Sequence, residues 1–139
     1  MKKVFLFSAL VAVMLLTACS STKRVVCNQK VSIVDVDMFM DFKGEKLSGM
    51  GLKYTMDLSS YSDEQISELK SQNLCSNVQA AMGTYASAFT NCKQEMSGKN
   101  LIITADFILE KLPGYEEGKN EGIDKSIQEL ENQGYKCTK

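Results

Sequence analysis

Hydrophobic and polar residues alternate along much of the first half of the chain, a pattern typical of β-strands with one buried face. Residues 34–43 and 50–58 both show this period of two, and a turn sequence at 43–46 joins them. The two runs therefore predict a hairpin with one apolar and one polar face. A shorter strand is predicted before them, over residues 24–30.

Helix signals follow the first hairpin. A capping box begins at Ser62, and a second box at Ser76 begins a helix predicted to run from Asn77 to about Phe89. The last amphipathic helix ends before Gly134, which fits the C′ position of a Schellman motif.

A second predicted hairpin, over residues 91–109, separates the two main helices. Because a hairpin returns the chain to where it left, the last helix is expected to run antiparallel to the helix at 77–89. The expected fold is a single α+β domain over residues 24–139. It has an antiparallel β-sheet of about five strands, with two to three helices packed on one face.

The first residues indicate export. Lys2 and Lys3 precede an apolar run at 4–16 that is too short to span a bilayer, so residues 1–18 are predicted to be a signal peptide. The small residues ending in Cys19 resemble the lipobox of bacterial lipoproteins, which implies that Cys19 is acylated and becomes the mature N-terminus. The alternative is an ordinary cleaved signal peptide with a chance cysteine.

The predicted anchor leaves the domain close to the membrane. Residues 19–23 form the lipidated cysteine and a short tether, and four extended residues reach about 14 Å at most. The expected location is the cell envelope, lipid-anchored at the extracytoplasmic face of a bacterial membrane. No cofactor is expected beyond the covalent lipid on Cys19.

The remaining four cysteines predict two disulfides, since an even number in an exported chain is typical of a disulfide framework. Of the three possible connectivities, the one joining Cys75 to Cys92 is disfavoured because the helix predicted between them would hold its ends about 20 Å apart. The expected pairs are Cys75–Cys137 and Cys27–Cys92.

Composition narrows the range of functions. The formal net charge is -1, so no basic field favours nucleic acid. The chain has no His, which excludes Ser-His and Cys-His nucleophile pairs and metal sites with His ligands. No catalytic residues are assigned, no metal site is assigned, and the chain is not expected to be an enzyme. Ser-Lys or paired-carboxylate chemistry would need residues that meet from distant positions.

A possible binding surface lies on the polar face of the first hairpin. Asp35, Asp37 and Asp41 share this face with the apolar Phe39. The spacing fails as a calcium loop, which leaves a solvated strand face or a weak cation site. Phe39 is either a contact anchor or a residue covered by the last helix or a loop.

Glycines inside the second strand admit two interpretations. Gly49 and Gly51 flank Met50, and glycine in a strand marks either a bulge or a close approach of another backbone. The functional interpretation is a smooth surface over which a peptide or a partner strand lies. Methionines in the mature chain are interpreted as core gap fillers, with a soft-metal or ligand groove as the alternative.

Three stretches, 42–46, 123–126 and 131–136, stand out together with the order of the elements. In these features the chain resembles the YehR-like small bacterial lipoproteins. The resemblance implies an α+β lipoprotein domain of uncharacterised function, here a variant that bears disulfides. It implies no catalytic residues.

The expected function is that of a membrane-anchored, non-catalytic envelope domain. Its expected partners are the membrane, through the lipid, and an unidentified envelope protein or small ligand, with no nucleic acid. The alternative function is a small-ligand-binding lipoprotein that uses a groove between the sheet and the helices.

Overall fold

The structure is a computed structural model, and it describes residues 21–139. The predicted signal peptide at 1–18 and the predicted lipidation site Cys19 lie outside these residues. The elements are, in chain order, β1 (Thr22–Val31), β2 (Val34–Lys43), β3 (Lys46–Asp57), α1 (Asp63–Ser71), α2 (Leu74–Ala81), β4 (Phe89–Ser97), β5 (Asn100–Phe107), α3 (Tyr115–Gly118), α4 (Ile123–Asn132) and β6 (Lys136–Thr138). Short 3-10 turns lie at Gly83–Tyr85 and Leu109–Lys111.

The strands of residues 21–139 form one antiparallel sheet in the order β4-β5-β3-β2-β1-β6. The α+β class is confirmed, but the sheet has six strands instead of about five, and this part of the chain has four α-helices. The missed strand, β6, has three residues, which are too few to show an alternating pattern. It forms because Cys137 pairs with Cys27 on the neighbouring strand.

The sheet begins earlier than the sequence predicts. β1 starts at Thr22, where it pairs with Lys43 of β2. Thr22 and Lys23 therefore belong to the sheet and not to the predicted tether of residues 19–23. A tether from Cys19 would consequently be shorter than expected.

The core lies on one face of the sheet, under α1, α2 and α4, and we call this the helix face. Apolar residues from alternate strand positions pack there against the helices in three groups. The most buried members are Val25, Cys27, Met40 and Phe42 under α4, Leu52, Phe89 and Ala105 under α2, and Leu58 and Leu101 packed against Ile66 of α1.

The predicted helix over 77–89 is wrong at both ends. Asn73, and not Ser76, caps α2, because its side chain accepts a hydrogen bond from the Ser76 N–H. The helix ends at Ala81, and Gly83 then adopts a φ of 58° that an L side chain rarely takes. The chain therefore turns back toward the sheet after two helical turns.

The prediction that the last helix packs antiparallel to the helix at 77–89 is also wrong. α4 packs over β1 and β2, whereas α2 packs beside β4 at the other edge of the sheet. The reason is the strand order: β5 inserts beside β3 and leaves β4 on the edge. The chain then crosses the end of the sheet before α4 begins.

The disulfides are present, but the predicted pairing is wrong. The bonds join Cys27 to Cys137 and Cys75 to Cys92. The short α2 explains the second bond, since the turn after it brings Cys92 back within 5.8 Å of Cys75, Cα to Cα. The first bond follows from the position of α4, which delivers Cys137 to β1.

Several local signals in the sequence are confirmed. The capping box at Ser62 forms, with both of its hydrogen bonds to Gln65. The Schellman motif at Gly134 also forms, because the Tyr135 N–H donates to the Leu130 carbonyl and the Gly134 N–H to the Glu131 carbonyl.

Candidate binding surface on the open face of the sheet

The other side of the sheet, which we call the open face, carries the polar positions of the strands. Its central rows run from β1 across β2, β3 and β5 to β4, and one row aligns Val26, Phe39, Gly51, Asp106 and Thr90. The helices that build the core lie on the opposite side. A sheet with one face packed and one face toward water is typical of antiparallel topology.

Phe39 is an aromatic residue at the centre of this face. It is half-buried, and the Arg24 guanidinium lies 5.5 Å from the centre of its ring. α4 packs on the opposite face, so the last helix does not cover Phe39. Arg24 instead supplies a cation–π contact.

Asp41 forms a bidentate ion pair on the open face. The Arg24 Nε and Nη2 atoms donate to its two carboxylate oxygens at 2.7 and 2.9 Å. This bidentate pair lowers the pKa of the Asp41 carboxyl, because the Arg24 hydrogen bonds favour the charged form, and it raises the pKa of Arg24. Arg24 is a member of the site that the sequence pattern alone did not identify.

The other two aspartates of β2 do not join Asp41. Asp37 accepts a hydrogen bond from the Asn28 side chain at 2.7 Å, and Asp35 lies opposite Lys30 on β1 and Thr55 on β3. Within residues 21–139, no three His, Cys, Asp or Glu side chains are placed to hold a metal ion. The three aspartates are thus separate positions on the face.

A depression of about 340 Å³ opens next to Phe39, over the glycines of β3. Gly49 and Gly51 provide a floor of backbone atoms there. A Cβ at Gly51 would lie 2.9 Å from the Ala105 carbonyl oxygen and 3.2 Å from Asp106 Oδ1. The Asp106 carboxylate therefore occupies space that a side chain at 51 would take.

A second depression, also of about 340 Å³, continues the first across β5 to the edge strand β4. Both depressions share Thr104, Ala105 and Asp106, and the second adds Asn91 and Lys93. The two together form a groove across the open face that we call the trough. Its polar and aromatic lining residues are Arg24, Phe39, Asp41, Asn91, Lys93, Thr104, Asp106 and Phe107.

Two irregularities of the sheet in residues 21–139 border the trough. The β2–β3 register shifts between Asp41 and Phe42, beside Gly49, and the β4–β5 register shifts between Thr90 and Lys93. Asn91, inside the second shift, has a φ of 52°, and its Nδ2 atom donates to Asp106 Oδ2 at 3.4 Å. Bulges of this kind re-aim side chains and occur often beside functional sites.

The β4 and β5 side of the trough was not predicted. The sequence predicted a hairpin at 91–109, in which the apolar stripe of Leu101, Ile103, Ala105 and Phe107 alternates with Ile102, Thr104 and Asp106, but no site was assigned to Thr104 or Asp106. Alternation places them on the opposite face from the stripe, so that signal was available. Their position beside Gly51 was not, because it depends on β5 pairing with β3.

Asp41→Asn tests the ion pair through its pH dependence. We expect it to lower the free energy of unfolding by up to about 1 kcal/mol at neutral pH, the upper range for an exposed pair. The folded-state pKa of Asp41 lies below the unfolded value of about 3.9, so this difference is complete above that value and disappears as the pH falls through the folded-state pKa. Urea unfolding of both proteins across the acid range measures it, and a difference that is independent of pH would contradict the assignment.

Comparisons with known proteins place the chain in no family. No family model matches the sequence, and no curated protein matches it. Among solved structures, the chain is similar to one described as an NMR structure of a protein from Streptococcus pneumoniae TIGR4. That match has 16% identity and a TM-score of 0.47, and it covers 85% of this chain and 84% of the other.

Proposed function

We propose that this protein is a non-catalytic bacterial lipoprotein that is anchored through Cys19 and binds an envelope component on the open face of its sheet. The observation that carries the proposal is the asymmetry of the sheet. The core-forming helices pack on one face, while the other presents Phe39 and the trough. An aromatic side chain set among charged residues on an uncovered face is typical of an interaction site.

The position of the trough fits action at a membrane surface. The first two residues described, Ser21 and Thr22, follow the proposed anchor closely, and Arg24 is five residues after Cys19. Five extended residues span about 17 Å at most, so one end of the trough would stay near the lipid. Two disulfides also suit an oxidising, extracytoplasmic setting. Among residues 21–139, no helix is both long and apolar enough to cross a membrane.

The chemistry of the trough favours binding over catalysis. The pKa of Asp41 is lowered by Arg24, which makes this carboxyl a poor proton donor near neutral pH. The chain contains no His to serve as a general base there. We therefore assign these side chains to recognition.

The position of the trough also changes where the small ligand of the alternative function would bind. The sequence suggested a small-ligand groove between the sheet and the helices, whereas the two depressions described lie on the open face. A small ligand and a larger envelope partner would thus use the same surface. We retain the small ligand as the second candidate for that surface.

We propose a relationship to the YehR-like lipoproteins on the stretches that carry the resemblance, two of which, 42–46 and 123–126, contact each other in the fold. Glu45, in the turn between β2 and β3, accepts a hydrogen bond from the Ile123 N–H at the start of α4. A carboxylate at this position satisfies a free N–H and interacts favourably with the helix dipole. The hairpin turn and the last helix therefore form one structural unit.

Cys19→Ser tests the anchor. We expect the wild-type protein to fractionate with membranes and to carry acyl mass on an N-terminal Cys19, because a lipobox cysteine is the acylation site. The variant should lose the acyl mass, and its signal peptide should no longer be cleaved before residue 19. Intact-mass measurement on membrane and soluble fractions reads both quantities.

A matched serine substitution outside the proposed anchor controls for the loss of a thiol. Cys75→Ser removes a cysteine of the domain and should leave the acyl mass unchanged. Wild-type protein without acyl mass, or a Cys19→Ser variant that keeps it, would overturn the anchor.

A further inference from the structure

The trough offers a neutral site to a ligand. Its charged lining residues are Arg24, Lys93, Asp41 and Asp106, two positive and two negative. Arg24 and Asp41 already neutralise each other in a bidentate pair. A strongly anionic or cationic ligand would therefore find no net charge to complement its own.

The uncharged features of the trough favour a saturated ring that carries hydroxyl groups. The ring of Phe39, with the Arg24 guanidinium 5.5 Å from its centre, lines the depression, and the backbone at Gly49 and Gly51 forms part of its floor. The carbons and hydrogens of a sugar ring present an apolar face that packs on aromatic rings, whereas the hydroxyls around its edge need hydrogen-bond partners. The trough supplies both kinds of contact.

The hydrogen-bonding groups lie at the β4 and β5 end of the trough, away from Phe39 on β2. Asp106 accepts, the Asn91 amide both donates and accepts, and the Thr104 hydroxyl does both. Asn91 is fixed relative to Asp106 by their hydrogen bond and by the bulge, with its φ of 52°. A non-glycine residue in this region of backbone space is uncommon and is often found at binding sites.

We propose that the trough binds a glycan, with one sugar ring on Phe39 and its hydroxyls hydrogen-bonded to Asp106, Asn91 and Thr104. This inference rests on the proposed role of the open face as a binding surface, and it names the class of ligand. The bound glycan is a neutral oligosaccharide that runs across the strands from β2 toward β4. Arg24 and Asp41 close one end of the site and hold Phe39 in place.

Calorimetric titration with neutral oligosaccharides tests the proposal. The full chain is purified from membranes in a polyoxyethylene detergent, because maltoside detergents carry sugar. The probes are chitotetraose, cellotetraose, maltotetraose and mannotetraose. We expect at least one of them to bind saturably with a Kd on the order of 1 mM or tighter.

Two variants locate the binding. Asp106→Ala and Phe39→Ala should each weaken binding of that oligosaccharide by about tenfold or more, the effect of losing a hydrogen bond or an aromatic contact to the ligand. Asp106 is exposed, so its removal leaves the core intact and keeps the test valid if Phe39→Ala fails to fold. Glu95→Gln, on the open face outside the trough, should bind as the wild type does.

The possible outcomes distinguish failure of the glycan proposal from failure of the proposed binding function. No binding of any of the four probes, or binding that both variants leave unchanged, overturns the glycan. Binding of tetralysine or tetraglutamate at the trough without oligosaccharide binding also overturns it, while leaving the open face as a binding surface. Failure of the proposed function itself would appear as the absence of crosslinked adducts from the open face in intact cells.

Discussion

Removal of the Cys27–Cys137 disulfide is expected to cause the largest loss of stability among simple changes to this protein. The bond closes a loop with a sequence separation of 110 residues, so opening it greatly increases the freedom of the unfolded chain. The chain-entropy relation gives about 4–5 kcal/mol for a loop of this size. The fold adds a second reason, since Cys27 is 0% exposed and belongs to the core under α4.

The Cys27→Ala/Cys137→Ala double variant measures this effect without leaving a free thiol. Beyond the lower free energy of unfolding, we expect faster amide exchange in β6, because three residue pairs to β1 and the disulfide attach that strand to the sheet. Urea unfolding gives the free energy, and hydrogen exchange gives the location.

The second disulfide provides a matched comparison. Cys75→Ala/Cys92→Ala opens a loop with a sequence separation of only 17 residues, for which the same relation gives about 3 kcal/mol. Its exchange effect should be confined to α2 and β4. A larger loss from this pair than from Cys27 and Cys137 would contradict the assigned roles.

Phe42→Ala is expected to cause the second-largest loss in the free energy of unfolding. Phe42 is 1% exposed and packs in the group with Val25, Cys27 and Met40 that α4 covers. Truncation of a buried Phe leaves a cavity and costs about 3–5 kcal/mol. The loss should appear in the urea midpoint, with an unchanged slope if the unfolded state is unaltered.

Val31→Ala is a suitable control for the Phe42 prediction. Val31 is also an apolar strand residue, but it is 57% exposed at the end of β1. Its truncation should change the free energy of unfolding by about 0.5 kcal/mol or less. Equal effects of the two substitutions would show that α4 does not pack on β2 as described.

Local features of the fold were predictable from the sequence, since they depend on neighbouring residues. The alternation at 34–43 gave β2 and both of its faces, and the capping box at Ser62 and the glycine at 134 marked two helix ends. Each of these signals concerns contacts within a few residues. The residues that determine these features are therefore all close together in the sequence.

The arrangement of the elements was not predictable in the same way. The order β4-β5-β3 and the pairing of β6 with β1 depend on contacts between residues far apart in the chain. The wrong disulfide pairing followed from the over-long helix, because a helix to Phe89 would have kept Cys75 and Cys92 apart. The turn at Gly83 removes that obstacle.

The same distinction between local and long-range contacts applies to the residues of the candidate site. Phe39, Asp35, Asp37 and Asp41 lie on one strand, and period two was enough to place them on a common face. Arg24, Asn91 and Asp106 reach the trough from three other strands. Their participation follows from strand order and from two register shifts that the sequence pattern did not reveal.

The central claim is that the open face contacts an envelope component, and photo-crosslinking in intact cells tests it most directly. A photoreactive benzoylphenylalanine replaces Lys53, on the open face in the row next to Gly51 and Asp106, or Glu129, exposed on α4. We expect a specific adduct from position 53 that Asp106→Ala diminishes, and none from position 129. Adducts from position 129 alone, equal adducts from both positions, or no adduct from position 53 would contradict the claim.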